Sequence, residues 1–113
     1  MAIHTQSDAI AAFYASIGPV LTRYEADLGT ATLTACQSHT FDLDVQYAWR
    51  HPALPIFYVV ISNGGPGRTG DANQLVSCKI DPVSGYFEPF GPARDLRWRP
   101  LHVSMDRQNA YIL

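Results

Sequence analysis

His102 is the side chain in this sequence best suited to moving a proton, because an imidazole changes charge near neutral pH. It stands in Arg99-Pro100-Leu101-His102-Val103-Ser104, with a guanidinium three residues before it and a hydroxyl two residues after it. A histidine can take a proton from water, and an arginine can grip a phosphate or carboxylate or stabilise an oxyanion. Arg99 precedes a proline, which holds it extended. A second segment, Tyr47-Ala48-Trp49, matches this one: Tyr47 aligns with His102 and Trp49 with Ser104, both at an offset of 55 residues. In extended chains, period-two geometry puts these four on equivalent faces. If that face lines a ligand channel, the channel gains a histidine, a hydroxyl and two aromatic rings. His102 is therefore the candidate catalytic residue, and Arg99, Ser104, Tyr47 and Trp49 are the candidate substrate-binding residues. A competing reading keeps them structural, with His102 bonded to neighbouring backbone and Arg99 solvated in a loop.

The remaining reactive side chains point to bland roles. His51 precedes Pro52 and reads as a surface turn histidine. His4 and His39 fall in the leader and at a strand end, and neither has a partner at metal-ligand spacing. No HxxxH and no paired-carboxylate spacing occurs, so no metal site is expected. Asp42 and Asp44 would share a side if extended, and they read as a solvated connection. The Gly-rich run from Ser62 to Asp71 lacks the Lys-Ser/Thr ending of a phosphate loop and is followed by a strand, so it reads as a connecting loop. Cys36 and Cys78 lie 42 residues apart, fit no CxxC pair, and read as two reduced, buried thiols.

Composition sets the frame. The chain has 113 residues, 47% hydrophobic and 16% charged, which is enough apolar surface for a small globular domain. Ten acidic and eight basic residues give a formal charge of −2, so no nucleic-acid partner is suggested. The nearest thing to a basic patch is Arg94, Arg97 and Arg99, with Asp95 among them. No charged leader with a long apolar core and no run of apolar residues long enough to span a bilayer is present in the sequence, so no membrane partner is expected and the default location is the cytoplasm.

The elements that must position these residues read as short strands. Val20 to Ala26 alternates, with Leu21, Arg23 and Glu25 on one side, and Thr32 to Ser38 returns after a turn. Gln74 to Ile80, the turn Asp81-Pro82-Val83-Ser84-Gly85, and Tyr86 to Phe90 repeat that plan. The turn has a mechanism: Pro82 presets φ, Asp81 bonds forward to backbone amides, and Gly85 takes positive φ. A short phrase recurs as Phe13-Tyr14-Ala15, Phe57-Tyr58-Val59 and Ala110-Tyr111-Ile112, at spacings of 44 and 53 residues. Several short strands per period of that length are the mark of propeller blades. With strands lettered a to d from the channel outward, the expected order is b-c-d, a-b-c-d, a-b. Residues 1–10 form a leader, with a helical turn conceivable over Asp8–Ala12. Blade one covers about 11–39, blade two about 45–91, and the start of blade three 100–113. Blade one lacks its innermost partner in this reading. The expected fold is all-β, the N-terminal portion of a single propeller, with aromatics such as Tyr14, Tyr24, Phe57, Tyr58 and Phe87 packing between blades.

The ordered set Ile17-Gly18-Pro19-x-Leu21-Thr22-x-Tyr24, Val45-Gln46-Tyr47-Ala48-Trp49-x-His51-Pro52, Tyr58-Val59-Val60-x-Ser62-Asn63-Gly64-Gly65-Pro66-Gly67, Ile80-Asp81-Pro82-x-Ser84-Gly85 and Arg99-Pro100-x-His102-x-Ser104-x-Asp106 resembles the seven-bladed β-propeller lactonases, the 6-phosphogluconolactonase-like group that includes carboxymuconate cyclases. The resemblance runs from about Phe13 to Leu113. It implies hydrolysis of a sugar lactone, with 6-phosphogluconolactone the leading substrate, and no metal or organic cofactor. Family members are about three times this length, so the resemblance also implies that the other blades, and most of the family's catalytic groups, are missing from this chain. A non-catalytic propeller module that binds a ligand or protein, or an inactive truncated product, are the alternatives. The 113 residues alone are expected to be inactive, weakly stable and self-associating.

Overall fold

The computed structural model describes the backbone of residues 2–7 and the chain from Ile10 to Leu113. The described residues form two antiparallel sheets and no helix. The first contains β2 (Ile10–Ile17), β3 (Val20–Asp27) and β4 (Thr32–Thr40), with β1 (Ala2–Ser7) along the outer edge of β2. The second runs β5 (Asp44–Arg50), β6 (Ile56–Ser62), β7 (Asn73–Ile80) and β8 (Phe87–Pro89). The two-residue β9 (Arg94–Asp95) pairs with the far end of β7, where Gln74 meets Asp95. Every strand pair is antiparallel, and β2–β3–β4 and β5 to β8 are each joined in chain order, as short connections require.

The turns form where the sequence places them. Asp27 accepts the amides of Gly29 and Thr30, and Asp81 accepts those of Val83 and Ser84. Gly85 then takes φ +76°, which returns the chain into β8. One expectation changes at the start of the chain. Part of the stretch read as a leader is strand β1, paired with β2 from Ala2 opposite Ala15 to Ser7 opposite Ile10. It therefore lies along the edge where blade one was expected to have no inner partner. Ile10–Ala12, read as part of a helical turn, belong to β2. Met1, Asp8 and Ala9 lie outside the described residues.

The sheets meet face to face. Tyr14 and Leu21 of the first sheet join Ala48, Phe57, Val59, Ile61, Val76, Cys78 and Phe87 of the second in one buried cluster with Phe41. Tyr14, Phe57 and Phe87 form a ring triangle with centroids 5.2, 5.5 and 5.5 Å apart. Each such pair adds about 0.5–1.5 kcal/mol beyond its area burial. The Gln37 side chain fastens the outer strands together. Its amide donates to the Phe87 carbonyl at 2.6 Å and accepts the Phe87 amide at 2.8 Å, as a neighbouring strand would.

Sheet two is covered on both faces. Cross-strand partners share a face, so Tyr47 with Val60 and Trp49 with Tyr58 point away from the first sheet, while Ala48 with Val59 points toward it. Residues 101–113 follow sheet two. They form a small hairpin in which Ser104 and Leu113 exchange backbone hydrogen bonds of 3.1 and 2.8 Å and Met105 bridges Ile112. The Asp106 carboxylate accepts the amides of Gln108, Ala110 and Tyr111 and closes the turn. The recurring phrase thus has three surroundings. Tyr14 is buried between sheets, Tyr58 is half-buried on the far face of sheet two, and Tyr111 is 72% exposed on the hairpin. No helix among the described residues is long and apolar enough to cross a membrane.

Candidate functional site

The 55-residue offset is realised as a contact. The His102 ring lies 4.5 Å from the Tyr47 ring, centroid to centroid, and 6.1 Å from the Trp49 ring. Both aromatics project from the face of β5 that looks away from the first sheet. His102 sits exposed on top of them, at the start of the segment leading into the hairpin. The rings therefore lie between two chain segments on a sheet face. A wall of half-buried aromatic surface beneath an accessible imidazole leaves one side of that ring for a ligand.

Arg99 comes to the same region by a different contact. Its Nε donates to Oε1 of Gln46 at 3.0 Å, and Gln46 occupies the register shift between Val45 and Tyr47 in β5. The bulge turns a residue that would otherwise alternate into the strand's partner for the following segment. The Arg99 stem passes over the Gly-rich loop so closely that a Cβ on Gly64 would meet its Cδ at 3.0 Å. Ser104 does not join the rings through its hydroxyl, and its backbone is engaged by Leu113. Tyr47, Trp49 and His102 thus come together, Arg99 is anchored beside them through Gln46, and Ser104 belongs to the hairpin.

The Gly-rich run is more built than a plain connection. Ser62 donates to Asn73 Oδ1 at 2.7 Å and accepts the Gly64 amide at 2.9 Å. Asn63 accepts the amides of Asp71 and Ala72 and donates to the Asp71 carboxylate. This locks the loop against a cleft of about 390 Å³ lined by Arg68, Thr69, Asp71, Arg97, Trp98 and Arg99 among others. Trp98 is 71% exposed, and the Arg97 guanidinium lies 5.1 Å from its ring. Arg68 reaches Asp44 at 4.0 Å. Arg68, Arg97 and Trp98 were not singled out by spacing. Their only sequence signal was the small arginine cluster near Arg99 and an arginine inside the glycine run.

The other reactive groups settle into structural work. His51 is 8% exposed, not on the surface, and its Nδ1 accepts the amides of Ala53 and Leu54 at 3.0 Å each. The turn histidine is a buried cap for its own turn. Both cysteines are free, but only Cys78 is buried, where burial pushes its thiol up to about 12. Cys36 is half-buried on β4, contrary to the expectation of two buried thiols. His39 packs edge-on against Phe41 at 4.6 Å. Among the described residues no three His, Cys, Asp or Glu side chains gather as a metal site. A cavity of about 810 Å³ lies apart from His102, between β4 and the β7–β8 hairpin, with Gln37, His39, Lys79 and Tyr86 in its lining. No family model, curated protein or solved structure matches this chain.

Proposed function

We propose that this chain is the N-terminal part of a lactonase-like β-propeller that opens a sugar lactone, with 6-phosphogluconolactone the leading substrate. The observation that carries the reading is the tilted and edge-on ring contact of His102 with Tyr47 and Trp49. Two features support the repeat. Tyr14 of sheet one faces sheet two, and its counterpart Tyr58 in sheet two faces the same way round, away from sheet one. Sheets stacked in one sense are what radial modules require.

In this mechanism His102 takes a proton from water as the water oxygen bonds to the lactone carbonyl carbon. The carbonyl oxygen becomes an oxyanion, which Arg99, with Arg97 beside it, stabilises. The ring C–O bond then breaks, and the imidazolium returns its proton to the leaving alkoxide, which leaves a hydroxy acid. Tyr47 and Trp49 hold the imidazole at one angle and offer an apolar face to the sugar ring. The test is lactone hydrolysis, followed by acid release in a pH-stat, for the 113-residue chain and for the protein translated from its whole reading frame. His102→Ala and His102→Gln are expected to lower the whole protein's kcat by about 100-fold or more, the usual share of general base catalysis. Unchanged turnover in both variants removes His102 from the mechanism. No turnover by the unsubstituted protein favours a non-catalytic ligand-binding module.

A further inference from the structure

A second polar cleft lies on the opposite side of sheet two from His102. It holds about 420 Å³ between the first sheet and the two turns His51–Pro55 and Asp81–Gly85 of the second. Two arginines reach it from facing sheets. Arg23 shares a face with Tyr14, its cross-strand partner on β2, and Arg50 shares a face with Phe57, its partner on β6. Those are the two faces that form the core.

Arg23 is 7% exposed, an unusual position for a cation. One of its nitrogens, Nη1, donates to Glu25 at 3.0 Å. Its Nε is buried and finds no hydrogen-bond partner in the protein, and the same holds for Nη1 of Arg50. Arg50 makes no ion pair among the described residues. The two carboxylates lining the cleft are otherwise engaged. Glu25 holds Arg23, and Oδ1 of the solvent-facing Asp81 caps its own turn. The Tyr14 hydroxyl donates at 3.5 Å to the Gly85 carbonyl. Burial pushes that phenol up, while Arg23, by its charge and by a hydrogen bond to the phenol, and Arg50, by its charge, pull the other way.

A buried N–H without a partner is costly, and the cost is larger when the donor is charged. Planar guanidinium groups match the spacing of oxygens in a phosphate or carboxylate. We propose that this inter-sheet cleft is a binding site for a small oxyanion, held between the Arg23 and Arg50 guanidinium groups with Tyr14 beside them. A ligand there would join the two sheets at the end remote from the Gly-rich loop. The site is independent of the lactonase reading, because sheet two separates it from His102.

The test is NMR of the arginine side-chain Nε–H resonances during titration with inorganic phosphate and, separately, with acetate, both at millimolar concentration and constant ionic strength. The Arg23 Nε–H signal is expected to shift along a saturable curve. Arg50→Gln, which alters a half-buried residue, should weaken the apparent affinity tenfold or more. Saturation with phosphate alone assigns the site to phosphoryl groups, and saturation with acetate alone assigns it to carboxylates. An Arg23 signal unmoved by either anion, or moved equally in Arg50→Gln, overturns the proposal.

Discussion

Replacing Gly85 with alanine isolates the contact on which the sheet interface closes. Gly85 has φ +76°, and an added Cβ would stand 2.5 Å from Arg23 Nη2, 2.9 Å from Cζ and 3.1 Å from Nε. The backbone share follows from the left-handed conformation and costs an L-residue about 1–2 kcal/mol. The packing share arises because the guanidinium is the far end of a long side chain, yet it is buried and tied to Glu25. Forcing it aside resembles overpacking a core, about 1–3 kcal/mol. The sum, about 2–5 kcal/mol, is a large part of the 5–15 kcal/mol that holds an ordinary domain together. The measurement is urea unfolding followed by fluorescence of Trp49 and Trp98, with stability taken from the midpoint at constant slope. The two shares separate in an Arg23→Gln background, where Gly85→Ala should cost only the backbone part. Gly85→Asn, which tolerates positive φ, should retain the packing part. Equal losses for Gly85→Ala in both backgrounds would remove Arg23 from the explanation, and a loss below about 0.5 kcal/mol would remove the backbone term as well.

Two further outcomes follow from groups already described. A thiol reagent at mildly alkaline pH should modify Cys36 in the folded protein and leave Cys78 untouched until urea is added, because burial holds the Cys78 thiol at about 12; two rapid equivalents in the native state would contradict the packing of β7. The Asp106 carboxylate is held below its ordinary range by the amide of Tyr111 first, with Ala110 and Gln108 adding to it. A lowered pKa in the fold stabilises the hairpin above the ordinary aspartate value and loses that contribution as pH falls through the lowered one. The Ala110 and Tyr111 amide resonances should therefore hold steady from neutral pH down through the ordinary aspartate range and move only in stronger acid. Movement beginning near neutrality would show that this carboxylate does not hold the turn.

Much of the architecture was legible because its signals are local. Asp81-Pro82-Val83-Ser84-Gly85 dictates its turn through bonds to its own amides, and the runs of β-branched and aromatic residues name their strands. Equal spacing put Tyr47 and Trp49 at positions equivalent to His102 and Ser104, but the ring contact of His102 with both aromatics shows only in the fold. What stayed hidden depends on partners remote in sequence. Ala2–Ser7 carries few β-branched or aromatic residues, and its strand exists through pairing with β2. His51 reads as exposed because a histidine before a proline belongs to a turn, and nothing local says that the turn folds over its ring. Arg23 alternates with Leu21 and so falls on the inner face, although its charge argues for solvent. Glu25 and the Gly85 turn gather around it only in the folded chain. Arg68 and Arg97 come together through the folding of the glycine run, which spacing could not anticipate.

The burial of adjacent residues Val59 and Val60 makes β6 a leaf pressed from both sides. Lifting the segment that carries His102 loosens the face of that leaf that holds Val60, and prising off the first sheet uncovers the other, but neither event alone frees it. Disassembly must then begin at the periphery and reach β6 last. Harm done at the rim stays local, whereas a polar substitution at Val59 or Val60 is felt by everything stacked against it.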